Sequence, residues 1–351
     1  MSLIFVCAQE DSIPTAPAVP NVVEKRSEVF YAREPQVIPE NGKIDQRVVQ
    51  RMVDALLLNL TKQKTVSEAW KKLLDPKPGE TVGIKVSTSG HELSGVHPQV
   101  VQAIVRGLQQ VGFDRKHIIV WDKNYEDLVA AGFREKSSDY ELMWIDPRTG
   151  YDEGALLTAP VTGKLIWGDR SFGDMKTTRL VDVLSAGNQL SNKSYYAEIL
   201  SRRVDKVINV ASLQDSFLSG VNGAMVSMAL HNIDNWRRFT RPPHRGDPFI
   251  AEIFGGELIQ EKLVVNFMDA LYLQYAGGPF PNPNFTIENF MLLASEDAVS
   301  LDACARKFID MERPVSKLPP VKNISEYIDS AEYFGLGIAD EERINFIQVS
   351  P

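Results

Sequence analysis

Hydrophobic spacing divides this chain at a turn cluster, Asp75-Pro76-Lys77-Pro78-Gly79-Glu80. Before the cluster, Val49, Met52, Val53, Leu56 and Leu60 recur every three or four residues, the spacing that gathers side chains on one face of a helix. "VSEAWKKLL" (66–74) predicts a second helix and "VVEKRSEVFYARE" (22–34) a strand. After the cluster the period changes. Short apolar runs rich in β-branched residues at 81–86, 118–122, 140–145, 204–210, 262–268 and 290–294 predict strands. Amphipathic stretches at 98–111, 125–131, 192–202, 224–230 and 297–312 predict the helices between them. Nearly all-apolar strands alternating with helices indicate a Rossmann-like α/β fold, a mainly parallel sheet with helices on both faces. In such sheets ligands sit outside the carboxyl ends of the strands.

The organisation expected is a signal remnant and Pro-rich tether at 1–21 and a helical extension at 22–74 packed on the core. A single α/β domain then fills 75–351, with a loop-rich insertion at 146–190. The tether follows a short apolar run, Leu3 to Val6, and Val6-Cys7-Ala8 before Gln9 fits cleavage of an export signal. A periplasmic or secreted protein is therefore the expectation, and a cytoplasmic one the alternative. Of the two cysteines, Cys7 belongs to this terminus, while Cys304 shares a helical face with Leu301, Ala305 and Phe308 and reads as core. The net charge of −8 argues against wholesale nucleic-acid binding, which needs basic surface to displace counterions from phosphate. No apolar run approaches the ~20 residues that span a bilayer.

Candidate chemistry collects in the loops after the strands. The strand at 81–86 carries Lys85 and runs into "VSTSGHELSGVHP", whose Ser87 and Thr88 supply hydroxyls and whose Pro98 suits a first helical position. The loop matches neither the P-loop nor the dinucleotide fingerprint. It is a structural turn, a cradle for a carboxylate or phosphate, or a metal site using His91 and His97, although histidines six apart are not a helical ligand pair. Asp122 ends the next strand and is either a helix cap or a functional carboxylate. Asn209 lies near the end of a third strand, followed by Ser219, Asn222 and Gly223, a small-residue loop able to form an anion nest. His231, Asn235, Arg237, Arg238, Arg241 and Arg245 follow, and such arginines either hold an anion bidentately or form a solvated face. Asp269 ends a further strand before Gly277 and Gly278, and Tyr272, Tyr275 and Phe280 either wall a pocket or pack.

Several separated motifs then fall in a recognisable order. "PGETVGIKVSTSG", "IIVWDK", "VDKVINVASLQDS", "GVNGAM", "NIDNWRRF", "VVNFMDALYLQYAGGP" and "LLASEDAVSLDACA" resemble the bacterial "domain of unknown function 362" family across roughly residues 75 to 348. The resemblance implies a Rossmann-like α/β architecture, frequent export and occasional association with iron–sulfur or redox modules, without a common activity. Where many members carry Lys-x-His and then Lys-Asn, this chain has Ser212-Leu213-Gln214-Asp215 and Val221-Asn222-Gly223.

Two functions are expected to compete. In the first, Lys85, Arg237 and Arg238 bind a small anionic substrate while Asp122, Asp269 or His231 exchanges protons. In the second, the same cleft belongs to a non-catalytic ligand- or cofactor-binding protein, or survives as the vestigial site of an interaction module. The sequence identifies no metal ligands and no cofactor, and leaves the oligomeric state open.

Overall fold

Alternation of side chains along each strand gives the sheet two apolar faces, and each face nucleates its own core. The computed structural model describes residues 25–147, 149–158, 166–167, 190–191, 193–240 and 242–351. The expected signal and tether, most of the 146–190 insertion and Arg241 lie outside these residues.

The strands are β1 (Ser27–Arg33), β2 (Val82–Val86), β3 (Ile118–Asp122), β4 (Glu141–Trp144), β5 (Tyr151–Leu156), β6 (Tyr195–Ala197), β7 (Lys206–Ser216), β8 (Leu263–Gln274), β9 (Thr286–Ser295) and β10 (Ile344–Val349). A nine-stranded sheet runs in the order β10-β1-β9-β8-β7-β2-β3-β4, with the short strand Gly220–Val221 folded back on β7. From β8 through β4 all neighbours are parallel, and only the β8–β9 and β9–β1 pairings on that path are antiparallel. The fold is thus a mainly parallel α/β sheet. Residues 22–74, expected as a helical extension, also supply β1, which lies inside the sheet between β9 and β10.

One face is covered by α1 (Gln46–Thr61), α2 (Val66–Leu74) and α3 (Pro98–Gln110). Val49, Met52, Val53 and Leu56 of α1 are at most 1% exposed and join Ile84, Val120 and Phe267 of the sheet in a single cluster. Asp45 caps α1 by accepting from the Arg47 N–H at 2.8 Å, and Lys62, left-handed at φ 56°, ends it. The opposite face packs under α5 (Ala224–Ala229), α6 (Phe249–Phe254), α7 (Ala298–Glu312) and α8 (Tyr327–Tyr333), with Trp121, Val207, Met268, Leu301 and Ile328 in its core. Cys304 is buried there. α4 (Tyr125–Ala130) follows β3 at the sheet's carboxyl edge.

Three elements differ from expectation, and a further strand was not expected. The helix expected at 192–202 is instead β6, paired antiparallel with β5, followed by one helical turn, Ile199–Arg203. The run of two tyrosines favours extended backbone once a partner strand is available. β7 and β8 both extend well beyond their apolar runs, because buried polar residues continue the strands. β10 had no expectation at all. Among the described residues no helix is long and apolar enough to cross a membrane.

Candidate functional site

A cleft of about 690 Å³ opens at the carboxyl ends of β2, β3 and β4, where strand–loop–helix connections bring their loops together. Its described lining includes Ser89, Asp122, Lys123, His231, Trp236 and Arg237, with Tyr151, Phe217, Pro279 and Phe280 among its apolar walls.

Asp122 sits in its floor and is tied on four sides. One oxygen accepts from Lys85 Nζ and the Lys123 N–H, both at 2.7 Å, and the other from the Thr88 N–H at 2.8 Å and Thr88 Oγ1 at 2.6 Å. Burial opposes its charge, but the Lys85 ammonium and the Thr88 hydrogen bonds outweigh burial and hold Asp122 below the usual carboxylate range. Lys85 is fully buried and also donates to the Val86 carbonyl at 2.6 Å. Burial lowers its pKa, and Asp122 acts against that fall. Lys85 therefore stands behind Asp122 rather than in the cleft.

His231 reaches the cleft from the turn that follows α5. Its ring lines the cleft, but Nδ1 is shut off from solvent and has no hydrogen-bond partner. Burial first, and the Lys85 charge second, lower its pKa to about 3, so the ring is neutral. This predicts a signature in acid. The unfolded histidine titrates near 6.5, so between pH 6.5 and about 3 the unfolded state binds the extra proton and the His231 contribution is lost as pH falls. Asp302 and Asp215, raised by burial to about 7 and about 6 from 3.8, act in the opposite sense: their contribution falls as pH rises through the same region. The wild-type stability minus that of His231→Gln isolates the histidine. That difference should fall with acidification by up to about 1.4 kcal/mol per pH unit, measured by urea denaturation across the window. A difference independent of pH would show that the ring is not held neutral.

Other expected site residues lie elsewhere, each for a structural reason. Asn209 is mid-strand in the sheet interior, donating to the Asn266 side chain at 2.9 Å and the Ala224 carbonyl at 3.0 Å. Asp269 accepts from the backbone N–H and Nδ1 of His97, both at 2.8 Å, and so anchors the start of α3. The other ring nitrogen of His97 faces the Glu92 carbonyl at 3.2 Å. Burial opposes charge on this ring, but the Asp269 carboxylate prevails and raises its pKa. Ser87 is buried with Oγ lacking a partner. Thr88 serves Asp122. Arg238 is buried and donates to Ser194 Oγ at 3.1 Å, whereas its neighbour Arg237 is exposed on the cleft wall with its guanidinium 4.7 Å from the Trp236 ring centroid. Asn235 is buried and donates to the Lys193 carbonyl at 2.6 Å.

The small-residue loop at 219–223 was expected as an anion nest, and its donors are taken by an internal carboxyl group. Asp302 of α7 accepts from the N–H groups of Ala224 (2.5 Å) and Met225 (3.0 Å), and a Cβ on Gly223 would overlap its carboxylate. Ser219 turns its hydroxyl to the Val221 carbonyl at 3.0 Å. Asn222 donates to Ser89 Oγ and Gln214 Oε1, both at 3.1 Å. That network runs on through Gln214 to Ser94 and the Pro279 carbonyl, fixing the loop beyond Gly277 and Gly278. The Gly278 N–H donates to Asp215 at 2.8 Å, with no room for a side chain at that glycine.

Sequence reasoning passed over Lys123, Tyr151 and Phe217. The signal for Phe217 was a lone aromatic inside a polar run, "LQDSFLSG". Lys123 Nζ donates to the Ile233 carbonyl at 2.7 Å and lies 5.5 and 6.0 Å from the ring centroids of Tyr151 and Trp236. Among the described residues, no three His, Cys, Asp or Glu side chains group in a way that could hold a metal ion.

No curated protein matches the chain. A crystal structure of a Thermotoga maritima protein from a structural genomics programme aligns at 10% identity and a TM-score of 0.38, covering 77% of this chain; the chain spans 59% of that protein's length. A family model described as "Domain of unknown function (DUF362)" matches residues 82–307, from β2 into α7, and so takes in every strand end that forms the cleft. By that match, which covers most of its length, the chain belongs to the DUF362 family.

Proposed function

We propose that this protein binds a small organic anion in the cleft over β2, β3 and β4. The observation that carries the reading is His231, a neutral ring in the lining whose Nδ1 is enclosed and unpartnered. An unsatisfied buried polar atom costs about 1–3 kcal/mol, a cost that a ligand group or a shift of the ring on binding relieves. Charge supports an anion. The lining carries the cations Lys123 and Arg237 with the carboxylates of Asp122 and Asp127, and the Asp122 charge is balanced from behind by its ion pair with Lys85.

The same geometry favours binding over proton transfer. A proton carrier needs a pKa near the working pH and freedom to exchange. Asp122 is held ionised by four hydrogen bonds, and His231 is neutral down to about pH 3. A thermal-shift screen of small carboxylates and phosphates tests the reading. A stabilising anion at a hundred times its Kd should add about 2.7 kcal/mol, and Arg237→Ala and His231→Gln should each remove most of that gain. Equal stabilisation of wild type and both variants would contradict it.

A further inference from the structure

We infer that the cleft is built for an aromatic carboxylate, a flat ring system carrying one carboxylate group; this deepens the anion-binding reading and rests on it. Two observations carry the inference, one for each half of the ligand.

The first concerns the rim. Phe217 and Phe280 are 55% and 61% exposed, both line the cleft, and they come from different loops, after β7 and after Gly278-Pro279. A single exposed phenylalanine is ordinary. Here the backbone beneath both is fastened. The Phe217 N–H donates to the Gly278 carbonyl at 3.1 Å, and Arg245 holds the Phe217 carbonyl at 2.9 Å. The Phe280 carbonyl accepts from Gln274 at 2.9 Å, and the Pro279 carbonyl from Gln214 at 2.8 Å. Both glutamines are completely buried. A buried polar network thus holds the backbone beneath two rings that stand in solvent at the mouth of one cleft, an apolar lip whose loops are ordered before a ligand arrives. Tyr151 and Trp236 supply further rings to the lining, beside the cations Lys123 and Arg237. Rings and cations together suit a flat apolar body bearing an anionic head.

The second observation separates carboxylate from phosphate. Phosphate sites in sheets of this kind draw on backbone N–H groups at helix starts. Here the chain's own acids occupy them. Asp302 takes the first N–H groups of α5, and Asp269 takes the His97 N–H at the start of α3. α4 carries Glu126 and Asp127 in its first turn, which repel a dianion. The charge that the wall offers is on side chains, Lys123 and Arg237, and a guanidinium pairs with a single carboxylate through two parallel hydrogen bonds.

Isothermal titration of the full chain with naphthoate, acetate and inorganic phosphate tests this. Naphthoate should bind at least about a hundredfold more tightly than acetate, and Phe217→Ala and Phe280→Ala should each weaken it about tenfold, as expected for losing a ring contact. Both side chains are exposed, so neither substitution threatens folding. If acetate or phosphate binds as tightly as naphthoate through Arg237 and His231, the aromatic inference falls while anion binding stands. If naphthoate binds with an affinity that ignores both phenylalanines, the inference likewise falls. If none of the three binds, the inference falls and the anion-binding reading falls with it.

Discussion

Replacing Asp122 with alanine is expected to destabilise the folded protein by about 3–5 kcal/mol, the cost of stranding a buried charge. Lys85 has no exposed surface, and without Asp122 its ammonium keeps only the Val86 carbonyl. The Thr88 hydroxyl and the N–H groups of Thr88 and Lys123 also lose their acceptor. Those bonds tie the loop after β2 to the end of β3, so the floor of the cleft should loosen with them. The pairing has a diagnostic. Lys85→Met combined with Asp122→Ala removes the stranded charge, and the double variant should be more stable than Asp122→Ala alone. Urea denaturation of wild type and both variants measures this. A single variant within about 1 kcal/mol of wild type would mean that the pair is solvated.

The second large effect is expected at Gly223. A methyl group there meets the Asp302 carboxylate, which must leave the N–H groups of Ala224 and Met225 or push α5 away from α7. Overpacking and the loss of a cap together cost about 3 kcal/mol. The displacement also reaches the cleft, because α5 leads directly into the turn bearing His231. Gly223→Ala should therefore lower both the unfolding midpoint in urea and the affinity for a cleft ligand. Asp302→Asn keeps an acceptor oxygen in place and should cost much less. Equal losses in the two variants would show that the contact with Gly223 matters less than the charge of Asp302.

The layering was legible because its signal is periodic. Runs such as 81–86 and 118–122 alternate with amphipathic helices, and that pattern has few solutions other than a covered parallel sheet. The site was harder to see because its residues break the pattern. Asn209 and Asp269 looked like strand tips because each is a polar residue interrupting an apolar run, yet both strands continue past them through the buried Ser212, Gln214 and Gln274. Hydropathy alone takes a buried polar network for a loop. Arg237 and Arg238 are equivalent in composition, but neighbours on a helix point about 100° apart, so one reaches the cleft and the other the core. The nest before α5 was visible as glycines and small residues, while the aspartate that fills it lies 79 positions later and no local pattern connects them.

His231 offers the most direct test of ligand binding at this cleft. It is one of five histidines, so its ring signals can be followed by histidine-selective NMR while naphthoate is titrated into the intact protein. If the cleft binds the anion, the His231 resonances move in a saturable manner and their pKa rises, because a bound negative charge favours the protonated ring. The half-exposed His117, on the turn before β3 and outside the cleft lining, stays unchanged. A His231 signal that does not move, or that moves only in step with His117, would contradict the account.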